Sequence, residues 1–218
     1  MEPDAVEIRV VGCLIEKQRT TPDAYPLSLN ALRLACNQAT NRDPVVSYDE
    51  ATVSDALRRL ALRGWTRLAS GAGSRARKYR HLLPEALGVG DDELALLGVL
   101  MLRGPQTPGE LKQRSERLHP FADLAAVQET LERLRERELV ARHPRRPGQK
   151  EERYEQLLGG GGEDATEVAE SPRAAGAPTD AAAAPSVAPG EDRLDRLERE
   201  LAELRTQVAA LREALGDD

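Results

Sequence analysis

Val53-Ser54-Asp55-Ala56-Leu57-Arg58-Arg59-Leu60-Ala61-Leu62-Arg63-Gly64-Trp65 decides how this chain is read, because its apolar pattern returns further on. The second copy is Val127-Gln128-Glu129-Thr130-Leu131-Glu132-Arg133-Leu134-Arg135-Glu136-Arg137-Glu138-Leu139, at an offset of 74 residues. Val53, Leu57, Leu60 and Trp65 match Val127, Leu131, Leu134 and Leu139. Each block is followed by a basic stretch and a tyrosine, Tyr79 and Tyr154. Self-similarity at a fixed offset is the mark of an internal duplication.

The duplication reaches upstream. Val11-Gly12-Cys13-Leu14 and Thr21-Pro22 echo Leu97-Gly98-Val99-Leu100 and Thr107-Pro108 with the same internal spacing. Each copy therefore reads as three helices and a basic hairpin, the pattern of a winged helix-turn-helix. The fold expected is mainly α with small β-hairpins, an α+β chain. The organisation expected is a first winged-helix domain over 1–84, a second over 85–158, a disordered linker over 159–190 and a coiled-coil helix over 191–218.

In the first copy, helix one is expected from about Pro3 to Arg19, with Val10, Val11, Leu14 and Ile15 on one stripe. Ser28 can cap a second helix that carries Leu29, Leu32 and Leu34 to about Asn37, a residue suited to a left-handed C-terminal position. Ser47-Tyr48-Asp49-Glu50 has the spacing of a capping box and should start helix three, whose core face is Val53, Leu57, Leu60 and Ala61 and which Gly64 ends. Thr66 to Leu68 and Lys78 to Leu83 then form a hairpin with its tip over Ser70 to Arg77. In the second copy, Asp91 to Arg103 is helix one. Thr107-Pro108-Gly109-Glu110 caps helix two through Arg117, and helix three spans Asp123 to Glu138. Arg142 to Lys150 forms the second tip.

Beyond residue 158 the composition changes. Four glycines open a stretch of Ala, Pro, Glu and Asp with little to bury, so its ordering entropy would not be recovered. Then Leu194, Leu197, Leu201, Leu204, Val208, Leu211 and Leu215 alternate three and four apart. That is a heptad seam, and it implies self-association as a homodimer; a single amphipathic helix folding back is the other reading.

Charge is unevenly spread. Residues 1–158 hold 25 basic and 23 acidic side chains, and residues 159–218 hold 6 and 14. With the folded part nearly neutral, any basic surface is local. Cys13 and Cys36 sit in apolar helical patterns, as reduced buried thiols do. The longest apolar stretch, Leu94 to Leu102, is far short of the roughly 20 residues of a membrane helix. A cytoplasmic protein without a membrane partner is expected.

The strings Gly12-Cys13-Leu14-Ile15-Glu16-Lys17 and Thr21 to Leu32, followed by Ala35-Cys36-Asn37-Gln38 and Asn41-Arg42-Asp43-Pro44-Val45, resemble the YceH family of bacterial proteins. The resemblance continues through Lys78-Tyr79-Arg80-His81, Leu102 to Leu111, Leu118-His119-Pro120-Phe121 and Pro147 to Glu151, and covers residues 7–158. It implies a tandem winged-helix fold and carries no ligand or catalytic residue across. Ala39-Thr40 stands where a lysine-containing version is expected, which removes a phosphate contact.

Duplex DNA is the first partner these residues suggest, because Arg and Lys on a hairpin neutralise phosphates beside a groove. Arg75, Arg77, Lys78 and Arg80 make one cluster, Arg142, Arg145, Arg146, Lys150 and Arg153 the other, and Arg58, Arg59 and Arg63 extend the first. Against this, Asp49, Glu50, Asp55, Asp123, Glu129 and Glu132 place acid toward the leading ends of both third helices, where base readout would want Arg, Asn, Gln or Lys. A protein-interaction scaffold without DNA binding is the alternative. His81, His119 and His143 fall in hairpin or loop positions without ligand spacing, so neither enzyme chemistry, a metal nor a cofactor is expected. Glu16 and Lys17 suit a salt bridge. Tyr25, Asn30, Asn37, Gln38, Asn41 and Arg42 are expected to satisfy the backbone of an irregular loop.

Overall fold

In the computed structural model, residues 2–69, 77–145 and 151–159 are described, and they fall within one compact unit. Two helices form its centre. Asp4 caps α1, Ala5–Thr20, through a reciprocal box in which the Asp4 carboxylate accepts from Glu7 N at 2.8 Å and Glu7 accepts from Asp4 N at 3.1 Å. Ile8, Val10, Val11, Cys13, Leu14 and Ile15 are all buried, so α1 is covered on nearly every side. The same holds for α5, Asp91–Arg103, whose residues from Glu93 to Leu102 are buried. The apolar run that is too short for a membrane is thus a central core helix lying against α1. Among the described residues no helix is long and apolar enough to cross a membrane.

Around α1, the first copy adds a 3₁₀ turn at Pro22–Ala24, strand β1 at Leu27–Ser28, α2 at Leu29–Cys36 and α3 at Glu50–Leu62. Strands β2, Thr66–Leu68, and β3, Lys78–His81, follow. Ser28 caps α2 as expected, accepting from Ala31 N at 3.3 Å. Leu34, however, is 54% exposed, and Ala35 and Cys36 take the inner face beside Leu32. Asn37 is not left-handed, with φ −89°; its amide instead brackets the Tyr48 backbone with two 2.8 Å bonds. The box at Ser47–Glu50 does not form: Asp49 is the cap, accepting from Thr52 N at 2.7 Å, and α3 starts two residues later than that spacing suggests. Ala56 rather than Ala61 completes the buried face with Val53, Leu57 and Leu60. Gly64, at φ +74°, turns the chain into β2.

The sheet order is β1-β3-β2, all antiparallel, with Leu27 opposite Tyr79 and Leu68 opposite Tyr79 on its other side. A short helix α4, Leu83–Leu87, continues from β3, where a strand to Leu83 was expected, and crosses position 84. In the second copy α6 is Pro108–Ser115, α7 Leu124–Glu136, β4 Val140–His143 and β5 Arg153–Gln156. Helix α6 thus stops short of Arg117. The box at Thr107 and Glu110 forms as the spacing predicts, at 3.2 and 2.9 Å. A single bridge between Gln106 and Tyr154 stands where the first copy has β1 against Tyr79.

This geometry corrects one equivalence. Thr21-Pro22 opens the 3₁₀ turn, whereas Thr107-Pro108 opens α6, so the partner of Thr107 is the cap Ser28. The first copy carries extra connector between helix one and helix two. One hydrophobic core runs through both copies, from Ile8 to Tyr154. At the end of the last described segment, a Cβ on Gly159 would lie 2.7 Å from Ile8 Cγ1. The remaining linker residues and the seven heptad positions Leu194 to Leu215 lie outside the described residues.

Candidate nucleic-acid interface

Helix α3 turns Val53, Ala56, Leu57 and Leu60 inward, and this leaves Ser54, Arg58 and Ala61 on the side that meets the hairpin. With Leu57 they form one wall of a groove of about 330 Å³. Thr66, Arg67, Leu68, Arg77 and Tyr79 form the other. Among the described residues its lining holds three arginines and no carboxylate. Arg58 has a counter-charge, Asp55, at 3.1 Å one turn back. For Arg67 and Arg77 there is no ion pair among the described residues, and both are exposed. Arg67 is the contributor that sequence reading missed. Its signal was a single arginine between Thr66 and Leu68 in the first strand of the expected hairpin.

The other first-copy cations divide. Arg59 reaches Asp4 at 2.6 Å and Glu7 at 3.2 Å, and Arg63 reaches Glu7 at 3.2 Å. Glu7 is only 2% exposed, so these two guanidinium groups compensate a buried carboxylate and tie α3 to the start of α1. Arg80 lies 3.9 Å from Glu85, and its Nε is buried without a hydrogen-bond partner. Lys78 is exposed on β3. Arg75, Arg146 and Lys150 lie outside the described residues.

The second hairpin differs in electrostatics. Arg142 pairs with Glu152 at 3.6 Å and His143 with Glu155 at 2.8 Å, while Arg153 binds Glu110 and the Pro105 carbonyl, both at 2.9 Å. Only Arg145 among its described arginines lines a groove, a 240 Å³ hollow shared with Gln128, Leu124, Tyr154 and the acids Glu151 and Glu152. At the positions of Arg58 and Arg67 the second copy has Glu132 and Ala141. The two clusters read as equivalent in sequence are therefore unlike: the first has uncompensated cations and the second is largely self-neutralised.

Part of the acid at the helix starts is structural. Asp49 and Asp123 are caps, accepting from Thr52 N at 2.7 Å and Ala126 N at 2.9 Å. The backbone bond from Thr52 holds the Asp49 carboxyl below the usual carboxylate range. Asp55 and Glu132 pair with Arg58 and Arg135, leaving Glu50 and Glu129 exposed.

The polar cluster near the long connector is a strut. Arg42 Nη1 and Nη2 grip Glu16 at 3.1 and 2.6 Å, Nη2 also donates to Gln38 at 2.9 Å, and Nε donates to the Ala35 carbonyl at 3.1 Å. Burial alone would raise the Glu16 carboxyl, but the bonds and charge of Arg42, with Lys17 beside it, bring it below its ordinary value. Arg9 donates to the Pro44 carbonyl at 2.7 Å, and the Leu102 carbonyl accepts from Asp43 N at 2.8 Å. The loop between α2 and α3 is thus fastened to both central helices. Tyr25 is engaged elsewhere, its hydroxyl accepting from His81 N at 2.9 Å. Cys13 and Cys36 are free buried thiols; the contact with Cys13, then burial, pushes the Cys36 thiol up.

An α+β body with small antiparallel sheets, bearing a groove whose described lining is cationic, is the class these observations define. The chain belongs to the family described as "Protein of unknown function, DUF480", whose model matches residues 4–149. It is 48% identical to a UPF0502 protein of Pelobacter propionicus over 97% of this chain and 94% of that one. A UPF0502 protein of Geotalea daltonii is 54% identical over 78% of each, and one of Cronobacter sakazakii 44% identical over 98% of this chain and 97% of that one.

Proposed function

We propose that this chain is a tandem winged-helix protein of the cytoplasm, a regulatory DNA binder rather than an enzyme, that contacts duplex phosphates through its first hairpin and dimerises through a coiled coil over 191–218. The observation that carries the reading is the groove beside α3, where Arg67 and Arg77 stand exposed without an ion pair among the described residues. Arginine in that state is available to phosphate, and the release of condensed counterions drives the association. Because Glu50 and Glu129 remain exposed near the helix starts, positioning on the backbone outweighs base readout in this scheme.

Fluorescence anisotropy of mixed-sequence duplex at several salt concentrations tests this, comparing the full chain with an Arg67→Ala/Arg77→Ala variant. Salt-sensitive binding that the variant weakens supports the reading. An absence of binding at low salt removes it.

One feature favours the scaffold reading. Leu62 at the end of α3 is 85% exposed and Leu68 of the adjoining strand 52% exposed, more apolar surface than a phosphate contact uses. Failure to bind DNA would make this surface a site for protein docking.

A further inference from the structure

We propose that the groove between α3 and the β2–β3 hairpin is a binding site for a small amphipathic carboxylate, an apolar acyl or aryl body with one anionic head. Its two components point to that chemistry. The floor is apolar, made by buried Leu57 with Ala61, half-exposed Leu68 and the Tyr79 ring. Its cationic part, the rim, is made by Arg58, Arg67 and Arg77, with Ser54 also in the lining. A volume of about 330 Å³ is at the lower end of the range in which small ligands are held.

An inorganic anion would satisfy the rim and leave the floor wet; a neutral amphiphile would cover the floor and leave two guanidinium groups without a counter-charge. A carboxylate with an apolar body does both, since a guanidinium fork binds a carboxylate through two parallel N–H bonds. The site is particular to the first copy, because Glu132 and Ala141 replace two of its three arginines in the second. Arg67 and Arg77 also carry the proposed DNA contact, so, resting on that reading, ligand and duplex exclude one another.

The probes are 8-anilinonaphthalene-1-sulfonate, followed by its fluorescence on the full chain, and decanoate as a competitor, with decanol as the neutral control. Saturable binding of one probe per chain is expected, displaced at least tenfold more effectively by decanoate than by decanol. Arg67→Gln/Arg77→Gln removes the rim charge, and Ala61→Phe fills the floor while keeping it; each should weaken probe affinity at least tenfold, with circular dichroism unchanged. Retention of affinity in either variant overturns the proposal. Survival in Ala61→Phe alone would leave an anion rim without an apolar seat. Equal displacement by decanol and decanoate overturns it as well. Probe binding is read without DNA, so this site and the DNA reading fail separately; duplex that stays bound at saturating decanoate refutes the exclusion.

Discussion

Gly12 of α1 faces Met101 of α5 so closely that a Cβ on the glycine would sit 3.0 Å from the Met101 Cβ. The same contact recurs with the roles exchanged: a Cβ on Gly98 would lie 3.0 Å from Ile15 Cγ2. Gly98 is the repeat partner of Gly12, and Met101 that of Ile15, at a common offset of 86 residues. Exchange of this kind is the property of an isologous interface, here between two halves of one chain. The echo of Val11-Gly12 in Leu97-Gly98 is therefore a record of how the copies pack. Each supplies a glycine that lets the other helix approach.

Gly12→Val tests this crossing. Its two added methyls enter a site where a bare Cβ already forces neighbours to shift, and over-packing a filled core costs about 1–3 kcal/mol. A fall in Tm of several degrees is expected by calorimetry. Gly109→Val, where a Cβ would meet only the Thr107 hydroxyl at 4.0 Å, should not show over-packing of that kind. Equal losses at the two sites would refute close approach as the reason for Gly12.

Glu16 and Arg42 give a second test. The Arg42 side chain is 0% exposed and Glu16 13%, so Glu16→Ala leaves a buried guanidinium without its carboxylate, at a cost of about 3 kcal/mol. Glu16→Ala/Arg42→Met removes the charge together with its partner and should lose less than the two single variants summed. Additive losses in urea unfolding would show that the pair is not coupled.

Both central helices were legible because their apolar runs and boundaries depend on local pattern; Asp91–Arg103 emerges as read. The helix-three caps were harder, since Ser47 and Asp49 are both cap residues and only the path of the loop, held by Asn37 on Tyr48, selects Asp49. For the candidate interface, sequence showed where basic residues occur but not which were already bound. Arg59, Arg63 and Arg153 have partners 43 to 56 residues away, a separation no local pattern encodes. Arg67 was overlooked for the opposite reason, as a lone cation in a three-residue strand.

His81 makes folding sensitive to acid. It is 4% exposed, with Nε2 2.6 Å from Gln18 Oε1 and Nδ1 buried without a partner. Burial first, then Arg19 and Arg80, push its pKa down to about 4, against the opposing charge of Glu85. The unfolded chain then binds the proton more readily, so the neutral form's stability is fully present above the ordinary value of about 6.5 and is lost as pH falls toward 4. Between pH 7 and pH 5 this is worth about 2 kcal/mol. Urea unfolding at the two values should show the loss in the native chain and a smaller one in His81→Gln; identical pH dependence would dismiss His81 as its origin.

Two pairs of arginines separate binding from stability. Arg67→Ala/Arg77→Ala should leave Tm nearly unchanged, because neither residue has an ion pair to lose among the described residues, and should flatten the slope of log affinity against log salt by about 2. Arg59→Ala/Arg63→Ala should do the reverse. It strands Glu7, 2% exposed, without either guanidinium group that compensates it, which costs about 2 kcal/mol or more in unfolding, while the salt slope of the folded protein holds. Calorimetry and anisotropy on the two variants decide the matter together. If Arg59 and Arg63 govern the salt slope instead, the interface lies on the α1–α3 side, and the groove beside the hairpin is not where phosphate binds.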